Sequence, residues 1–130
     1  MQQNEVGNQL VLIAEDEDTN FFVLDLFIRK SLNLNTIRVV NGVDAVETFK
    51  KHPEIALILM DIKMPVMDGI EANKRIKAIN PDIPVIAITA YALAGDEQKL
   101  RKAGFDEYIS KPVQKRELLR KINKILGLSE

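Results

Sequence analysis

The 130-residue chain is 46% hydrophobic and 28% charged, the balance of one globular domain with a sizeable core. Eighteen Lys and Arg against nineteen Asp and Glu leave a formal charge of −1, so no global field recruits nucleic acid or an acidic membrane. Zero Cys excludes disulfides, thiolate nucleophiles and cysteine-ligated zinc, and a single His, His52, argues against histidine metal sites and triads.

Residues 1–8 read as a polar tail without signal-peptide character, and the longest apolar run, 55–60, is too short to cross a bilayer, so a cytoplasmic setting is expected. The run 10–14 is almost wholly apolar, as a strand buried on both faces requires, and leads into Glu15, Asp16, Glu17 and Asp18. A helix period covers 19–32, with Val23, Leu24, Phe27 and Ile28 as its buried stripe. A more polar strand is expected over 36–40 and a helix over 43–51, where His52 before Pro53 reads as a helix-terminal surface residue. The apolar run 55–60 ends at Asp61, and a helix follows over 70–79. The run 85–89 ends at Thr89, and a helix over 95–103 stops at Gly104. A short strand over 107–109 precedes Ser110, Lys111 and Pro112. The helix over 114–126 places Leu118, Leu119, Ile122, Ile125 and Leu126 on one face, its basic outer face reading as solvated surface. Five βα units in succession predict an α/β fold, a doubly wound five-stranded parallel sheet with helices on both faces.

In such a sheet the functional crevice lies beyond the carboxyl ends of the strands. Each residue there has a bland reading alone: the acidic run as a helix cap, Asp61 as a turn residue, Thr89 as a strand end, Lys111 as a solvated charge. Together they say more. If the first and third strands are neighbours, Glu15, Asp16 and Asp61 share one pocket, where unpaired carboxylates would repel. A hard divalent cation such as Mg2+ resolves that conflict, and Lys111 can stand opposite it. A carboxylate nucleophile, a cation and an ammonium form a phosphoryl-transfer arrangement that yields an aspartyl phosphate.

From about Gln9 to Gly127 the chain resembles the receiver domain of two-component response regulators. The resemblance is carried by Glu15-Asp16, the segment 60–69 (MDIKMPVMDG), Thr89-Ala90, Ala103-Gly104 and the segment 108–112 (YISKP). It implies the flavodoxin-like strand order 2-1-3-4-5, for which the chemotaxis regulator is a standard example. It also implies Asp61 as phosphoacceptor, Asp16 and Asp61 as Mg2+ ligands, Glu15 as a ligand through water, and the Lys63 carbonyl as a further ligand. Lys111 would bind phosphoryl oxygens, with its bond to Pro112 cis. Thr89 would donate its hydroxyl to the phosphoryl group, and Tyr108 would change exposure as the switch reports.

Glu15-Asp16 in place of the commoner Asp-Asp, with Asn20 four residues on, resembles receivers of hybrid sensor kinases. Those take phosphate from a histidine kinase and pass it to a histidine phosphotransfer protein. Phe22 and Leu26 exceed what one buried face of the first helix needs. A wide face or covering loop would account for them; the functional alternative is a docking patch for a helical, histidine-bearing partner. Lys63 and Tyr91, two residues after Asp61 and Thr89, are candidates for setting the acyl phosphate's lifetime.

A dehalogenase-type phosphatase would need an Asp where Lys63 stands, and a flavin or nucleotide carrier would need a Gly- or hydroxyl-rich first loop. A pseudo-receiver serving only as a protein-interaction module is the remaining alternative. A phosphorylation-dependent homodimer through the fourth and fifth units stays open. The expected organisation is a tail over 1–8, a receiver domain over 9–127 and an end over 128–130. The expected role is a signalling receiver that catalyses only its own modification.

Overall fold

The computed structural model describes residues 9–90 and 96–128. Ten elements alternate: β1 (Leu10–Ala14), α1 (Asp18–Leu32), β2 (Asn35–Val39), α2 (Gly42–Lys51), β3 (Ile55–Asp61), α3 (Gly69–Ile79), β4 (Val85–Thr89), α4 (Asp96–Lys102), β5 (Glu107–Ser110) and α5 (Lys115–Leu126). The strands form one parallel sheet in the order β2-β1-β3-β4-β5. The doubly wound architecture and the flavodoxin-like order therefore both hold.

Strand alternation divides the core into two layers. Leu12 and Ala14 of β1, Ile58 and Met60 of β3, and Val85 and Ala87 of β4 meet Ala45, Val46 and Phe49 of α2, Ala72 and Ile76 of α3 and Leu100 of α4. On the other face Val11, Ile13, Leu57, Leu59, Ile86 and Ile88 meet Leu24 and Ile28 of α1 and Leu118 and Ile122 of α5. Ile55 lies in the first layer although it is two residues from Leu57 in the second. A register shift accounts for this, since Leu10 pairs with Ile55 but Val11 with Leu57.

Element ends differ slightly from expectation. β2 begins and ends one residue early, and β3 continues through Asp61, so the carboxylate sits on the strand rather than in the following turn. The expected first residue of the fourth helix, Gly95, lies outside the described residues, as do Tyr91 and the tail over 1–8. The acidic run does not cap α1: Glu17 occupies the N-cap position and makes no side-chain capping bond. Asn41 and Asp68 do cap α2 and α3, accepting from the Asp44 and Glu71 amides. Gly104 (φ 96°) and Gly127 (φ 69°) adopt the left-handed conformation that ends α4 and α5.

Candidate functional site

Adjacent pairing of β1 and β3 brings their carboxyl ends together, and the cleft there has a volume of about 420 Å³. Its lining includes Asp16, Asn20, Asp61, Lys63, Thr89 and Lys111, one contribution from each strand end that the sequence singles out. One carboxylate oxygen from each of Glu15, Asp16 and Asp61 lies within 4.8 Å of the others. Glu15 and Asp61 are buried, and Asp16 faces solvent.

Lys111 is the positive counterpart. Its Nζ donates to Asp61 Oδ2 at 3.2 Å and lies 3.4 Å from Glu15 Oε1. Burial works against the ammonium, but the charges of Asp61 and Glu15 outweigh it and hold the Lys111 pKa above its ordinary value. Burial has the opposite effect on Glu15, pushing its carboxyl up to about 7 with help from the Asp61 charge, although the Glu17 amide and Lys111 pull it down. The Glu17 N–H donates to Glu15 Oε2 at 3.1 Å, while Glu15 Oε1 is buried without a hydrogen-bond partner.

An all-oxygen set of three crowded carboxylates, in which Glu15 Oε1 has only the Lys111 ammonium 3.4 Å away, suits a hard cation that keeps some of its water. No His, Cys or Met stands in the cleft lining to offer a softer metal an imidazole or sulfur ligand.

The loop leaving β3 is held close to Asp61. The Gly69 amide donates to the Ile62 carbonyl at 2.8 Å, and a Cβ at Gly69 would stand 2.2 Å from the Asp61 carbonyl oxygen. The far side of the loop is gripped similarly: the Gly42 amide donates to the Met67 carbonyl, which a Cβ at Gly42 would meet at 2.3 Å. Val66, at the exposed tip between them, holds a positive φ of 69°.

Thr89 ends β4 as a buried residue, and its carbonyl accepts from the Lys111 amide at 2.7 Å. The Lys111–Pro112 bond is cis. Tyr108 lies on β5 outside the cleft lining: its hydroxyl donates to Glu97 of α4 at 3.3 Å, and Lys121 Nζ sits 5.1 Å from its ring centroid. Phe22 and Leu26 are exposed on α1, at 64% and 42%, while Leu24 and Ile28 alone of the expected stripe are fully buried.

Sequence reasoning passed over Glu97, which lies on an exposed helix turn, and Arg38. The signal for Arg38 was present, because it is the one charge in the strand 35–39.

Residues 11–123 match the model of the response regulator receiver domain. The polar-differentiation response regulator DivK of Brucella anthropi is 39% identical over 120 residues, 90% of this chain and 95% of that protein. The receiver domain of the sensor histidine kinase PA1611 from Pseudomonas aeruginosa, solved with magnesium in its active-site cleft, superposes with a TM-score of 0.84 at 34% identity, covering 92% of this chain and 98% of that one. A chain in the co-crystal of the Saccharomyces cerevisiae histidine phosphotransfer protein Ypd1 with the receiver domain of Ssk1 superposes at 0.82 with 30% identity, covering 90% and 88%.

Proposed function

The chain belongs to the response regulator receiver domain family, and from that premise we propose that Asp61 is its phosphoacceptor and that Mg2+ binds beside it. The observation that carries this reading is the buried Asp61 carboxylate held between Lys111 and two further carboxylates at the mouth of one cleft.

Asp16 and Asp61 would hold the cation directly, Glu15 through water, and the Lys63 carbonyl would complete the protein ligands. Bound there, Mg2+ supplies charge that neutralises phosphoryl oxygens and lets an anionic donor approach the carboxylates. The rest falls to the chain itself. An Asp61 carboxylate oxygen forms a bond to phosphorus as the bond from phosphorus to the donor nitrogen breaks, the electron pair leaving with the donor imidazole. Lys111, already charged and on Asp61, follows the phosphoryl oxygens. Thr89, fixed at the end of β4, gives its hydroxyl to the same group. Tyr108 changes exposure as the edge of the sheet responds.

The donor is a histidine kinase, and the acceptor of the onward transfer is a histidine phosphotransfer protein docking on Phe22 and Leu26. Support comes from the exposure of both side chains and from the family's occurrence in a sensor kinase and beside a phosphotransfer protein. The domain over 9–127 acts in the cytoplasm as a signalling relay that modifies only itself. Lys63 tunes the lifetime of the acyl phosphate from the cleft wall.

Intact-protein mass after incubation with a small-molecule phosphodonor tests the chemistry. Wild type gains one phosphoryl group only with Mg2+, and Asp61→Asn gains none. Equal gain in Asp61→Asn, or gain indifferent to Mg2+, would overturn the assignment.

A further inference from the structure

Arg38 lies on the edge strand β2, behind the acidic loop, and no part of the phosphoryl chemistry requires it. Its contacts nevertheless converge on that loop. Nε donates to the Glu15 carbonyl at 3.1 Å, Nη1 lies 2.9 Å from Asp18 Oδ1, and the guanidinium carbon stands 4.6 Å from the Phe21 ring centroid. The neighbouring residue of the same strand holds the preceding peptide group, the Glu15 amide donating to the Val39 carbonyl at 3.0 Å. Glu15 is thus held by its main chain from β2 on both sides, leaving its carboxylate to face Asp16 and Asp61.

The choice of contacts is selective. Arg38 takes the carbonyl of Glu15 and the carboxylate of Asp18 rather than a carboxylate oxygen of Glu15, Asp16 or Asp61. A guanidinium suits this task because its planar fork can hydrogen-bond in two directions while its face stacks on an aromatic ring. The placement also carries a cost, since Nη2 is buried without a hydrogen-bond partner. An arginine placed for surface charge would not incur it.

We propose that Arg38 is a positioning residue for the cation site, bracing the loop 15–18 so that its carboxylates are set for Mg2+ before the ion arrives. This rests on the metal reading given above. Geometry and simple electrostatics predict opposite signs here. A positive charge near a cation site repels the cation, so removing Arg38 should tighten Mg2+ binding if charge alone mattered and weaken it if the brace matters.

The test is an amide NMR titration of the full chain with MgCl2, following residues around Asp16 and Asp61, with thermal unfolding of each metal-free variant as the fold control. Arg38→Gln is expected to weaken Mg2+ binding about tenfold, at the low end of what losing a partner behind a metal ligand costs. Arg38→Lys, which keeps the charge and loses the fork, is expected to weaken it equally. Unchanged or tighter binding in Arg38→Gln, or wild-type affinity in Arg38→Lys, would overturn the inference while leaving the metal site intact. If Arg38→Gln does not fold, Phe21→Leu removes the stacking surface and keeps the ion pair. Its expected effect is a severalfold loss of affinity, and wild-type affinity there would overturn the role. Absence of Mg2+-dependent shifts in wild type would overturn the metal reading itself, and the brace with it.

Discussion

The two sides of the cleft are built on different supports. On the β1–β3 side, Ala14, Glu15, Met60 and Asp61 are each at most 4% exposed, and β1 and β3 both have a strand on either flank. On the β5 side the sheet ends. Tyr108 is half-buried, and its hydroxyl rests on Glu97, an exposed residue of the short helix α4. A nucleophile that must meet phosphorus in line benefits from the first kind of support, because small misplacements are costly to rate. A residue that must change exposure needs the second, where few contacts have to be broken. On the proposed reading, the bond is made where the support is dense and felt where it is sparse.

That division can be broken experimentally. Gly69→Ala strikes the fixed side hardest, because its Cβ would meet the Asp61 carbonyl oxygen. A loss of about 1–3 kcal/mol in stability is expected from denaturant unfolding, together with slower phosphorylation. A variant as stable and as reactive as wild type would mean that the Asp61 support is softer than its burial implies.

Phe22→Ala with Leu26→Ala should leave stability nearly unchanged and cut phosphoryl transfer to or from a phosphotransfer partner about tenfold, the equivalent of one modest interface hot spot. Unaltered transfer would remove the docking patch.

The Glu15 carboxyl sharpens the comparison through pH. Its pKa is raised from 4.5 to about 7 in the fold, so the folded state binds the proton more tightly than the unfolded chain does. Its stabilising share is full below pH 4.5 and declines as pH rises towards 7. In chelator, Glu15→Gln should flatten that part of the stability profile, measured by urea unfolding at several pH values. The smallest effect is expected on the responsive side: Tyr108→Phe removes one exposed hydrogen bond and should change stability by less than about 0.5 kcal/mol while altering the response to phosphorylation.

Much of this was legible in the sequence because buried parallel strands write themselves as unbroken apolar runs, and the residues that end them fall at the crevice by topology alone. Asp61, Thr89 and Lys111 were placed at the cleft that way. The register shift that puts Ile55 and Leu57 on opposite faces was not legible, since it depends on pairing rather than on pattern. Arg38 escaped for a related reason. Its partners, Glu15, Asp18 and Phe21, lie about twenty residues away in the chain, and no local period reports a contact across a crossover. The acidic run also misled when taken alone: capping propensity assigns it to α1, whereas Glu17 makes no side-chain cap and the buried Glu15 brings a carboxylate oxygen close to Asp16 and Asp61.

The loop between β3 and α3 deserves reading as a mechanical part. It is clasped by Gly69 against the backbone of Asp61 and by Gly42 against the backbone of Met67, each with no space for a methyl group. Helix α2 lines no part of the cleft, yet its first residue, Gly42, clasps the loop that follows Asp61. Positions 42 and 69 therefore share one tolerance, and an inherited change at either should invite compensation along 62–68 rather than within the helix that carries it.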